Sequence, residues 1–189
     1  MLISELTLKE EFTMGMDLNF FKALFDRRLA EKVGNINELE ETIYRLVMEL
    51  GRNGIEEVLE GADEKLGAEC PRCGGSNTES KGKEGRLLKT RLGEVRIRRR
   101  RLYCRNCQKS FYPLDEKMGI SSGENVTLNL RKLALSCGAS WPYEAAAKVV
   151  QELTGTSLDP SEIKRLAEEE VEELEKRGPW RSKLSGKGR

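Results

Sequence analysis

Hydrophobic spacing changes character three times along the chain. Over 18–33, Phe20, Phe21, Leu24, Phe25 and Leu29 form an apolar helical stripe, whereas 1–15 has no period and reads as a loose arm. Leu39, Ile43, Leu46, Val47 and Leu50 then fall at i, i+4, i+7, i+8 and i+11, the spacing of an amphipathic helix. Asn35 and Glu38 stand at capping-box separation just ahead of it. Gly51 and Gly54 are expected to break or bend this helix, with a further helical stretch over 55–66. These N-terminal helices suit a dimerisation or docking arm, or equally a small bundle packed on the central segment; periodicity does not separate the two.

The period shortens at 86–103, which reads as two strands reversing at Leu92-Gly93-Glu94. Residues 113–119 read as a connector. Ser121 and Glu124 form a second capping-box pair, before a helix burying Val126, Leu130, Leu133, Ala134 and Cys137 and ended by Gly138-Ala139-Ser140. Pro142 suits the first turn of the next helix, whose core face is Ala146, Val149, Val150 and Leu153. After the turn at Thr154-Gly155-Thr156, Asp159, Pro160 and Glu162 supply the N-cap, first-turn proline and N3 acid of a third helix. Ile163, Leu166, Ala167, Val171 and Leu174 are its expected buried face.

Three short helices with a glycine-containing turn before the last fit a helix-turn-helix, in which Ser161, Lys164 and Arg165 would reach base edges. The acidic run beyond them, from Glu168 to Glu175, would be repelled by DNA phosphate. An ordinary three-helix bundle is the alternative, because the turn over 154–159 is longer than a helix-turn-helix normally uses. The tail over 178–189 is basic, contains Gly and Ser, and is expected to be disordered.

Cysteine usage adds chemistry to this outline. Cys70-Pro71-Arg72-Cys73 and Cys104-Arg105-Asn106-Cys107 are two Cys-x-x-Cys pairs flanking the hairpin. Four thiolates offer a closed tetrahedral shell that suits one structural zinc ion, and two knuckles around a hairpin make a zinc ribbon. Two disulfides or a redox pair are the competing reading, disfavoured because residues 1–11 lack the basic-then-apolar pattern of a signal peptide. Cys137 falls on an apolar helical face and is read as core.

Charge gives the same segment a second role. The chain's net charge is only +1, yet residues 70–112 carry 13 basic and 3 acidic side chains, while residues 1–69 carry 8 basic and 16 acidic. Arg96, Arg98 and Arg100 alternate onto one strand face, expected to have no nearby acid; Val95, Ile97, Arg99, Arg101 and Tyr103 take the other. With Arg91 and Arg105, these arginines form a candidate phosphate-binding row, since Arg meets phosphate bidentately. A basic edge strand is the bland alternative. Tyr103, Phe111 and Tyr112 would allow base stacking, so single-stranded DNA or RNA stays open as ligand.

Several function classes drop out. With no histidine there is no Ser-His or Cys-His pair, and there is no phosphate loop or dinucleotide fingerprint. No apolar run approaches the ~20 residues of a membrane span. The expected fold is α+β: an N-terminal helical arm at 1–67, a zinc ribbon (β-hairpin with a four-cysteine site) at 68–115, a helix-turn-helix-like three-helix unit at 120–177 and a basic tail at 178–189.

The run Gly93-Glu94-Val95-Arg96-Ile97-Arg98-Arg99-Arg100, then Tyr103-Cys104-Arg105-Asn106-Cys107 and Phe111-Tyr112-Pro113-Leu114-Asp115, resembles bacterial insertion-sequence transposases of the ISKra type. Cys70-Pro71-Arg72-Cys73-Gly74, Pro142-Tyr143-Glu144-Ala145-Ala146 and the helix from Pro160 fit the same pattern, so the likeness spans about 36–175. The resemblance implies a DNA-binding region that recognises double-stranded element ends ahead of a two-metal DDE catalytic domain. No carboxylate here matches that domain's acids, so the chain is expected to bind DNA without cutting it. A second copy or a separate catalytic chain would be its protein partner, in the cytoplasm and at the nucleoid when bound. A protein-interaction adaptor is the rival reading.

Overall fold

The computed structural model describes residues 34–176; the expected helix over 18–33 and the tail over 178–189 lie outside them. Among the described residues there are five helices and one three-stranded antiparallel sheet: α1 (Ile36–Lys65), β1 (Thr78–Thr90), β2 (Gly93–Cys104), β3 (Lys109–Phe111), α2 (Pro113–Met118), α3 (Leu128–Ser140), α4 (Tyr143–Thr154) and α5 (Pro160–Lys176). The class is α+β. The chain divides into two compact units at Val47/Met48, inside α1.

The start of α1 is capped as its sequence predicts. Asn35 Oδ1 accepts the N–H groups of Asn37 (3.0 Å) and Glu38 (3.1 Å), and the Glu38 carboxylate accepts the Gly34 N–H at 2.8 Å. Contrary to expectation, α1 runs unbroken through Gly51 and Gly54. A Cβ on Gly51 would lie 2.9 Å from Leu92 Cδ1, so that glycine marks where the hairpin tip meets the helix. Tertiary packing outweighs the ~1 kcal/mol propensity deficit of each glycine: Ile55, Leu59 and Ala62, one stripe of α1, and Leu66 just past its end pack on Leu88, Val95, Ile97 and Leu114.

β1 and β2 form one long hairpin paired from Thr78↔Cys104 to Thr90↔Gly93, with an irregularity between Ser80 and Lys83. Its reversal is at Arg91 and Leu92, one residue earlier than expected. Thr90 Oγ1 accepts the Leu92 N–H and donates to the Gly93 carbonyl, and Gly93 at φ 113° supplies a conformation that L side chains resist. β3 pairs with only the last three residues of β2, leaving most of that edge open. The open edge is closed by side chains of α1: Glu56 accepts the Arg96 N–H at 2.6 Å and Asp63 the Arg100 N–H at 2.9 Å.

Two elements were not foreseen. Residues 109–111 are a strand, and the expected connector holds α2, with Pro113 in its first turn and Gly119 in the left-handed conformation at its end.

α3, α4 and α5 pack around Leu130, Ala134, Cys137, Ala146, Val150, Ile163 and Leu166. Ser121 and Glu124 cap nothing: Val126 instead bridges to Lys89 of β1, and α3 begins later, at Leu128. Gly138 lies inside α3, where a Cβ would come within 3.2 Å of Ile163 Cγ2. Pro142 sits just before α4 as its N-cap. Val171 and Leu174 are exposed rather than buried, because α5 extends past the core that Ile163 and Leu166 fill; Leu153, near the end of α4, is exposed as well.

Candidate metal centre and basic face

The two Cys-x-x-Cys pairs converge. Gly74 donates its N–H to the Cys70 carbonyl (2.9 Å) and Cys70 donates to Gly75 (3.0 Å), rolling the first pair into a knuckle with Gly74 at φ 67°. The second turns on Gln108, at φ 57°, between the end of β2 and β3. The knuckles press together: a Cβ on Gly75 would meet Asn106 Nδ2 at 2.5 Å, and Arg105 donates its N–H to Asn77 O at 3.0 Å.

All four sulfurs lie within 4.8 Å of one another, with Cys70–Cys107 and Cys73–Cys104 each 3.6 Å apart. Sulfurs at tetrahedral corners about 2.3 Å from an ion stand about 3.8 Å apart, so the donor set fits one divalent metal with no open coordination position. All four thiols are free, and Cys70 and Cys104 are buried with Leu102 and Phe111. The Cys73 N–H, with weaker help from Arg72 and the neighbouring thiols, lowers the Cys70 thiol to about 7. Burial, reinforced by Cys70 and Cys104, pushes Cys107 up to about 12. Protons crowded on clustered thiols are what a cation would displace. Cys137 is buried in the three-helix core, where burial raises its thiol.

The arginines divide sharply. Arg99 donates to Asp115 at 2.7 Å and lies 3.9 Å over the Tyr112 ring, and Arg86 reaches the same carboxylate oxygen at 3.1 Å. Arg101 pairs with Glu84 (2.8 Å) and Arg105 with Glu79 (3.1 Å), the latter largely in solvent. The expectation that Arg100 has no nearby acid is overturned. Its Nε lies 3.4 Å from the buried Asp63 carboxylate, and its guanidinium donates to the carbonyls of Asp63 and Leu66. The negative end of the α1 dipole, together with Asp63, draws Arg100 off the row.

Arg91, Arg96 and Arg98 are exposed and their guanidiniums pair with no carboxylate among the described residues, although the Glu56 carboxylate sits on the Arg96 N–H, so the expectation of no nearby acid fails at Arg96 too. Strand pairing places Lys89 and Glu94 on the face of Arg96 and Arg98, and Lys89 binds Glu162 of α5 at 2.7 Å. Ser161, Lys164 and Arg165 are exposed on that first stretch of α5. The Ser161 hydroxyl bonds Asp159, Lys164 lies 3.8 Å from Glu168, and Arg165 pairs with Glu169. Asp63, Glu84 and Asp115, the acid partners of the inner arginines, are not singled out from sequence, and Tyr112, read there as a base-stacking residue, lies under Arg99 instead; for Asp115 the one signal is its place after Pro113 in a helical first turn.

A family model matches residues 29–173, most of the chain, including both knuckles and the arginine strand. The chain belongs to the uncharacterised protein family UPF0236. No curated protein matches it significantly. Membership of UPF0236 carries no activity with it. Among the described residues of this UPF0236 chain, no helix is long and apolar enough to cross a membrane.

Proposed function

We propose that this chain is a zinc-dependent DNA-binding module, resembling the N-terminal part of an insertion-sequence transposase, that engages double-stranded element ends. Zinc is the metal best suited to a closed shell of four thiolates and would lock the two knuckles to the hairpin. The observation that carries the DNA reading is the outer face of β2, where Arg96 and Arg98 stand exposed and unpaired among the described residues while their neighbours are neutralised. A polyanion is the natural partner for such a face. The first turns of α5, tied to that face through Lys89 and Glu162, would supply sequence preference in a helix-turn-helix-like manner.

Cleavage is not part of the proposed role. The buried carboxylates Asp63 and Asp115 already serve arginines. The test is a salt titration of duplex binding. Arg96→Ala with Arg98→Ala should weaken binding to all duplexes and reduce the log–log salt slope by about 2, near 0.9 per lost phosphate contact. An unchanged slope would reject the assignment. The rival adaptor reading draws on the exposed Val171 and Leu174 at the acidic end of α5, and predicts no gel shift with random duplex even at low salt.

A further inference from the structure

The opposite side of the hairpin holds a cavity of ≈ 520 Å³ between the first knuckle, β3, α2 and the segment before α3. Its charged lining is Arg72, Arg86, Arg99 and Lys109 against Asp115 and Glu116, an excess of two positive charges. Arg86 makes three side-chain hydrogen bonds, to Asp115 and to the carbonyls of Ser121 and Glu124. Arg99 makes fewer. It is only 8% exposed, yet among the described residues its one side-chain hydrogen bond runs from Nη1 to the oxygen it shares with Arg86, and Nε has no partner; the other Asp115 oxygen, Oδ1, has none either. A buried guanidinium left half-bonded is costly unless something accepts its remaining donors.

We propose that this cavity binds a phosphate-class oxyanion, held against Arg99 and met at the rim by Arg72 and Lys109. Guanidinium donors match phosphate oxygens bidentately, and the ring of Tyr112 behind Arg99 fixes the plane in which they point. The volume exceeds what a bare ion fills, leaving room for the ester that carries it. Strand alternation puts Arg99 on the face opposite Arg96 and Arg98, so this site is separate from the proposed duplex face.

The full chain is titrated with inorganic phosphate against sodium chloride at matched ionic strength, following thermal unfolding and heat of binding. Phosphate should raise the unfolding temperature beyond chloride. Arg72→Ala with Lys109→Ala, both exposed, should weaken phosphate at least about tenfold without unfolding the chain. Asp115→Asn removes the competing carboxylate and should strengthen phosphate; should that variant fail to fold, the rim pair decides alone. If the anion belongs to a nucleic-acid backbone, the rim pair also weakens a short duplex; if it belongs to a free phosphate compound, duplex affinity stays the same. A wild-type chain indifferent to phosphate over chloride, or a rim pair that binds phosphate as the wild type does, overturns the site.

Discussion

Arg98 and Arg99 are adjacent in the chain and opposite in circumstance. Arg99 is buried, stacked on Tyr112 and shared with Arg86 on one carboxylate; Arg98 is exposed and meets no acid among the described residues. The strand's two-residue period sends them to different sides, and what covers each side decides the rest. On the covered side, arginine ties α2 to the sheet through Asp115, and Arg99 keeps a donor to spare for the proposed anion. On the open side, it is the contact group of the proposed duplex face. Four arginines in a row therefore do not make a fourfold phosphate grip, and a count of basic residues overstates the binding surface.

The largest effect that could break this contrast is metal removal. Structural zinc contributes on the order of 10 kcal/mol in small finger peptides. The apolar core at the knuckles is little more than Leu102, Phe111 and the cysteines themselves. Strong chelator should melt the knuckle end and abolish duplex binding, while the separate core around Leu130, Val150 and Ile163 keeps its helical signal. Elemental analysis with circular dichroism checks this; retention of fold and binding without metal would remove the ribbon's physical basis.

Next in size is Asp115→Ala, which strands two buried guanidiniums and should cost about 3–5 kcal/mol in urea unfolding. Arg96→Ala with Arg98→Ala should stay within about 0.5 kcal/mol of wild type, as surface changes do. Equal losses would erase the distinction between the two faces.

Acid sharpens the contrast more gently. The hydrogen bond from Tyr112, then Arg101, holds the Glu84 carboxyl below its ordinary 4.5, so its stabilisation is present above 4.5 and lost as pH falls through the depressed value. Burial raises Asp115 above 3.8 despite Arg99 and Arg86, so its contribution is full below 3.8 and lost as pH rises through the raised value, an opposing trend. Glu84→Gln should flatten the acid limb of the urea midpoint measured below pH 4.5; an acid limb identical to wild type would show that the Glu84 pairing adds nothing.

Legibility in the sequence followed the range of the interaction. The cysteine knuckles, the Asn35 cap and the core stripe of α5 at Ile163 and Leu166 are local patterns, and each could be read directly. Gly51 looked like a breaker because its reason, Leu92 of the hairpin tip, lies about forty residues away. Arg100 looked free because Asp63, its partner, lies 37 residues away on a helix whose packing partner could not be read from its periodicity. The end of α5 looked buried because helical period reports a face and not how far the neighbouring helices extend along it.

The carboxylates of Glu56 and Asp63 have one more consequence. Because they occupy the amides of Arg96 and Arg100, and β3 pairs with the final residues of the same strand, β2 has little edge left on which a guest strand could be added. The outer edge of β1, bridged only at Lys89 among the described residues, is then where an extended peptide could add a strand to this sheet. A partner that met β2 instead would have to recognise side chains, so its docking would depend on their identity rather than on a generic backbone ladder.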